Sequence, residues 1–371
     1  MADRMSADFP NATPVGAAAL LRAAAGAVGG AQARLPAAAA GLFVPDDHQL
    51  DDYQRAGMRL LLDRLIGAIE RELRATLAAD SRLPAQAIAA LDSDRIAIAL
   101  PLLARTRLLD DPELIAVLLA RSDEQRIFAA ARTQRAAEGL PQRAVEALLS
   151  DPDPLLGEAA MAVLVAESRR FDALDAAALA RTDLGAELQV RLVWRIAAAL
   201  RHWLVRWQGM DAAAADAVLG DAVAAALALH DEGETLEAVA LQLAAALGAR
   251  DRLGDAVLTA AAAEGRLVLF LALFASRAGL EFADARALML APGLAQRAVA
   301  LRALGLSRPD AATILLVLNA GQRADAEIAD ILADYDSLDR GLAIEAIRPW
   351  SLDPGYRDAL ATLALIEGVS R

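Results

Sequence analysis

Between residues 84 and 183 the chain returns repeatedly to one device, a short apolar helical segment that closes on an aspartate. The closings read LDSD (91–94), ARSD (120–123), LSDPD (149–153) and ARTD (180–183). Their final residues, Asp94, Asp123, Asp153 and Asp183, stand 29, 30 and 30 residues apart. Each closing follows a helical stretch: PAQAIAAL, DPELIAVLLA, LPQRAVEALL and DALDAAALA. Two short helices and a turn recurring at this length predict an α-solenoid of antiparallel helix pairs, in which neighbours cover one another's apolar faces. Each closing Asp is placed to cap the next helix and to complement its N-terminal dipole.

Composition agrees with helices and disfavours sheets. Apolar residues make up 57% of the 371 positions and aromatics only 4%, so the apolar content is mainly Ala and Leu. Ala, Leu, Arg and Glu lead the helix propensities, whereas the β-branched and aromatic residues that fill strands are sparse. All 37 basic residues are Arg and there is no Cys. Thiolate metal sites, cysteine nucleophiles, Schiff-base lysines and phosphate-loop lysines are therefore excluded. The net charge of −13 disfavours general nucleic-acid binding, which needs clustered cations.

The repeat breaks at AELQVRLVWRIAAALRHWLVRWQ (186–208), one longer helix ended by Gly209. Further helices follow, punctuated by Gly233, Gly248, Gly265, Gly279, Gly293, Gly305 and Gly321, at positions suited to helix C-termini. Gly279-Leu280 with Asp284-Ala285 is echoed 26 residues later by Gly305-Leu306 with Asp310-Ala311. These signals predict two all-helical lobes, 46–208 (four units of about 30 residues and a closing helix) and 209–371. Residues 1–45 read as an N-terminal extension. Thr13-Pro14 would start a short Ala-rich helix that fails at Gly29-Gly30, and a linker would run between Pro36 and Pro45.

PAQAIAALDSDRIAIALPLLARTRLLDDPELIAVLLARSDEQRIFAAART (84–133) resembles the core of a bacterial domain-of-unknown-function family, helical and similar to HEAT-type repeats. The family pattern is an Asp, an apolar stretch with a central Pro, then Ser, Leu, Asp and an acidic-Leu pair. Here it falls on Asp94, IALPLL with Pro101, then Thr106 in place of Ser, Leu108, Asp111 and Glu113-Leu114. GRLVLFLALFASRAGL (265–280) and ALGLSRPDAATILL (303–316) are also similar to it. The resemblance implies an α-solenoid with a regulatory or scaffolding role and supplies no catalytic residues.

The long helix carries the main candidate site. At about 100° per residue, Arg191, Arg195, His202 and Arg206 share one stripe. Leu192, Ile196, Leu200, Trp203, Leu204 and Trp207 share the adjoining apolar face, with Trp194 and Arg201 on another side. A cationic stripe beside aromatics can hold a carboxylate-rich partner; alternatively, the arginines pair with acids of neighbouring helices. A free stripe predicts that charge reversal at Arg191, Arg195 and Arg206 spares thermal stability.

PDDHQLDDYQ (45–54) offers Asp46, Asp47, His48, Asp51 and Asp52 to a divalent ion, but its spacing matches no ligand pattern and reads better as a helix start. His230 is placed to complement a helix C-terminus. LVLFLALFA (267–275) has 9 residues, about half of the ~20 a membrane span needs, and reads as core. The N-terminus lacks the basic cluster of an export signal, which predicts a cytoplasmic protein.

The expected function is a non-enzymatic protein-interaction scaffold or regulatory adaptor with a protein partner, no cofactor and no metal. The alternatives are a HEAT-like protein acting on nucleic acid and peripheral membrane contact through the Trp/Arg helix. The net charge disfavours the first, and burial of the Trp face in repeat packing disfavours the second.

Overall fold

A computed structural model describes residues 16–26, 52–92, 97–138, 144–172, 183–290, 293–320, 325–353, 355–357, 359–360 and 363. Among them there are helices and turns and no strand. In chain order the α-helices are α1 (Ala17–Gly26), α2 (Asp52–Ala78), α3 (Ala85–Leu91), α4 (Ala99–Arg105), α5 (Pro112–Glu138), α6 (Pro154–Asp172), α7 (Ala186–Trp207) and α8 (Ala212–Ala228). They continue with α9 (Leu236–Gly248), α10 (Asp255–Ala263), α11 (Leu267–Ala278), α12 (Phe282–Leu290), α13 (Leu294–Ala303), α14 (Arg308–Leu318), α15 (Asp325–Tyr335) and α16 (Arg340–Ile347). The protein is all-α. No helix among the described residues is long and apolar enough to cross a membrane.

The helices form two units, and these do not divide at residue 208. One takes the described residues of 33–126 and 142–250, the other those of 16–26, 127–138 and 251–363. The first therefore keeps α8 and α9, which the sequence had assigned to a second lobe. The physical reason is where their apolar faces go: α8 packs on α7 and α2, and α9 on α6. The core of this unit joins Met58, Ile66, Ile69 and Leu73 of α2 to Leu188, Leu192, Ile196 and Leu200 of α7 and to Val218 and Val223 of α8.

Two short helices in this unit are finished by side chains from α2. Glu70 accepts from the backbone N–H groups of Ile98 and Ala99, both at 2.9 Å, at the start of α4. Arg74 donates from Nε to the Leu91 carbonyl at 2.8 Å, at the end of α3. Both groups are orphans of a helix terminus that would otherwise need water.

The Asp rhythm is only partly structural. Asp94 lies outside the described residues. Asp123 sits buried inside α5, a single 27-residue helix that runs through the expected closing. ARSDEQR has neither Pro nor Gly to stop a helix, and its residues are good helix formers, so propagation outweighs the capping preference of Asp. Asp153 does cap a helix, accepting from the Leu155 N–H at 3.0 Å. Asp183 instead accepts from the Leu236 N–H at 3.0 Å and so caps the distant α9.

In the second unit α1 is integral. Thr13, Pro14 and the expected linker lie outside the described residues, but Leu20 is fully buried and α1 packs on α13 and α16. The Gly16 N–H donates to Asp334 at 2.7 Å. Its alanines let helices approach closely, which is how a short Ala-rich segment finds a place in a core.

Leu267 to Ala275 of α11 are all buried, as core, with the Phe270 and Phe274 rings 6.2 Å apart. The glycine echo is a repeated helix stop. Gly279 and Gly305 have φ of +65° and +80°, and the next residue, Leu280 or Leu306, donates back to the carbonyl of Ala275 or Leu301. This Schellman closure needs a residue without a Cβ at the left-handed position. Gly209 stops α7 with φ +65°.

Candidate interaction face

The long helix forms over Ala186–Trp207, within one residue of the span read from the sequence. Its buried face carries Leu188, Leu192, Ile196, Leu200 and Leu204. Trp207 does not join them and is 57% exposed. It has the right angular position, but it lies in the last turn, beyond the core, where Gly209 turns the chain away. Its ring meets that of His202 edge-on at 5.3 Å.

The cationic stripe separates into two halves. Arg195 Nη1 is 2.9 Å from Asp111 Oδ2, and Arg191 Nε is 3.3 Å from the same oxygen. Arg191 also pairs with Glu113. These contacts revise the reading of a free stripe: its first half is held within the fold by the start of α5. Asp111 is itself the cap of that helix, accepting from the N–H groups of Glu113 and Leu114 at 3.1 and 3.3 Å. Burial pushes the Asp111 carboxyl up, but the Leu114 N–H together with Arg195 and Arg191 holds it below the usual carboxylate range. His202 and Arg206, in the second half, are exposed.

Between Arg191 and the Arg201–Asp216 pair (3.0 Å) runs a line that α7 does not bury: Val190, Trp194 and Ala198. Trp194 is 51% exposed and Val190 40%. Trp194 is thus a large aromatic surface at the centre of the helix, bordered by guanidinium groups.

Sequence reasoning missed a buried cluster of charges around Arg170. Arg170, in the last turn of α6, is a hub. Its Nη1 lies 3.2 Å from Glu124 of α5, its Nη2 2.5 Å from Glu237 of α9, and it also pairs with Asp183. Arg121 of α5 donates to the Asp183 backbone carbonyl. Burial raises the Glu124 carboxyl to about 7, more than Arg170 lowers it. Burial pushes Glu237 up too, but the charge and hydrogen bond of Arg170, the Arg121 charge and its own backbone N–H together bring the carboxyl down to about 2. Glu124, Glu237 and Asp183 hold Arg170 protonated well above its ordinary range, despite burial. Four segments meet here, from 13 to 67 residues away from Arg170 in sequence. The i, i+3 pair Arg121/Glu124 reads as a solvated helix face, so nothing local marks the cluster.

Asp46, Asp47, His48 and Asp51 lie outside the described residues. Among the described residues no group of three or more His, Cys, Asp or Glu could hold a metal ion.

Packed helices, finished by side-chain caps and left-handed glycines, make this an all-helical protein. The chain belongs to the bacterial family DUF2336, described as an uncharacterised protein conserved in bacteria, whose model matches residues 98–348, about two thirds of its length. No curated protein and no solved structure matches it.

Proposed function

We propose that the protein is a non-enzymatic interaction scaffold or regulatory adaptor of the bacterial cytoplasm, its hairpins forming a HEAT-like repeat array. The exposed face of α7 is its docking surface. The observation that carries this reading is Trp194, a large aromatic half exposed at the middle of a helix whose opposite face is core. Tryptophan and arginine dominate interface hot spots, because they bury much area and still offer a donor. The partner that suits this face is an apolar helix or strand that covers Val190, Trp194 and Ala198, with an acidic side chain reaching Arg206 beside His202. The poverty of nucleophiles, with no Cys and no Lys, agrees with a binding role. The recurring closures at Gly279 and Gly305, each followed by Leu and a new helix, support the repeat reading.

Site-specific photocrosslinking in the bacterial cell tests it. A crosslinking amino acid at position 194 or 207 captures a discrete heterologous protein, and one at Leu342 does not. Trp194→Ala abolishes capture from position 207 while leaving the melting temperature unchanged. Equal capture from all three positions, or adducts between copies of this chain alone, would overturn the assignment.

A further inference from the structure

A cleft opens in the unit formed by 33–126 and 142–250, with a volume of about 80 Å³. No residue of α7 lines it, so it is separate from the docking face. Its walls are largely apolar and include Leu61 and Leu65 of α2, Val117 and Leu118 of α5, and Ala166 of α6. The cations around it are nearly all committed. Arg169 pairs with Glu234 at 3.0 Å, Arg170 is satisfied by its three acids, and Arg121 donates to the Asp183 carbonyl.

Arg64 is different. It lines the cleft from α2 and makes no ion pair among the described residues, and its Nη1 is buried without a hydrogen-bond partner there. His230, after α8, also lines the cleft, and its Nε2 is buried and unpartnered as well. Buried donors without acceptors are rare in folded proteins and call for an explanation such as an absent guest. Two such groups in one apolar-walled cleft, one of them a permanent cation, define the guest's chemistry. It has an anionic oxygen head and a small apolar body.

We infer that this cleft binds a small carboxylate with an apolar body, whose carboxylate accepts from Arg64 Nη1 and from His230 Nε2 in the tautomer that carries its proton there. The guanidinium supplies charge and the imidazole a second donor. The apolar walls disfavour a strongly hydrated dianion, because among the described residues no further unpaired cation lines the cleft to replace its water. A cavity of about 80 Å³ has room for on the order of six water molecules, which suits an aryl or short-chain acid rather than a long lipid.

Benzoate, with benzamide as its neutral isostere, is the probe. Calorimetry on the full chain should show saturable benzoate binding, at least tenfold weaker binding of benzamide, and at least tenfold loss of benzoate affinity in Arg64→Gln. Val117→Phe, which fills the cleft, should also lose binding. Arg64→Gln removes a half-buried guanidinium that makes no ion pair among the described residues, so without ligand its melting temperature should stay close to that of the wild type. Should that variant fail to fold, His230→Gln and the benzoate/benzamide comparison on the wild type carry the same expectation. Absence of saturable benzoate binding, equal affinity for the amide, or unchanged affinity in Val117→Phe would each overturn the site.

Discussion

Glu70 and Arg74 lie one turn apart on α2, 3.1 Å from each other, and cap opposite ends of two different helices. Glu70 takes the N-terminal donors of α4, and Arg74 takes the C-terminal carbonyl of α3. Each charge is thereby placed at the helix pole that favours it, as well as beside its counter-ion. Both side chains are buried, so neither can fall back on water.

Removing one partner should therefore be costly. Glu70→Ala or Arg74→Ala is expected to destabilise the fold by about 3 kcal/mol, the range for leaving a buried charge unpaired. Replacing both with apolar residues, as in Glu70→Leu/Arg74→Met, should cost less than the sum of the single changes, because no charge is then stranded. Urea denaturation of the four proteins gives the coupling directly, and strictly additive losses would refute the paired arrangement.

The Arg170 cluster makes stability pH-dependent in two separate windows. Glu124 titrates near 7 in the fold against 4.5 ordinarily, so the fold binds its proton more tightly than the unfolded chain does. Its contribution is fully present below about 4.5 and is lost as pH rises through about 7. Glu237 has the opposite sign. Its carboxyl is held at about 2, so its contribution is present above 4.5 and fades as pH falls towards 2. Denaturation midpoints should be higher at about pH 5 than at about pH 8, and Glu124→Gln should remove most of that difference. A midpoint that is flat over this interval in the wild type would contradict the assignment.

The two halves of the α7 stripe should respond differently to charge reversal. Arg195→Glu sets a carboxylate against Asp111, which is only 7% exposed and caps α5. A loss of about 1–2 kcal/mol is expected, moderated by the partial exposure of Arg195. Arg206→Glu, in the exposed last turn, should change stability by less than about 0.5 kcal/mol. Thermal melts of the two variants decide between a structural and a free guanidinium at each position.

Two left-handed glycines should differ in their tolerance of a methyl group. At Gly279 (φ +65°) an added Cβ meets nothing within 4 Å, so Gly279→Ala should cost only the backbone term of about 1 kcal/mol. At Gly265 (φ +71°) the same atom would lie 2.6 Å from the Ala131 Cβ and 3.2 Å from the Phe128 Cα. Steric overlap adds to the backbone term, and Gly265→Ala should cost about 3 kcal/mol. Equal losses at the two sites would show that α5 and the end of α10 are not in that contact.

The sequence by itself determined several of the helices and their stops, though not every boundary: α5 runs through the closing expected at 120–123. Ala and Leu at helical spacing, bounded by glycines, were enough to place α7 to within a residue, to mark α11 as core, and to find the stops at Gly209, Gly279 and Gly305. These are local matters, settled by propensity, periodicity and the backbone freedom of glycine. Tertiary structure decided which neighbour each face and charge would meet. It drew α8 and α9 into the first unit, buried Asp123 within one continuous helix, and tied Arg191 and Arg195 to Asp111. It also gathered Arg121, Glu124, Arg170, Asp183 and Glu237 into one buried cluster from distant segments. A charge in sequence has only a sign; its partner, burial and titration depend on distances that spacing along the chain does not encode.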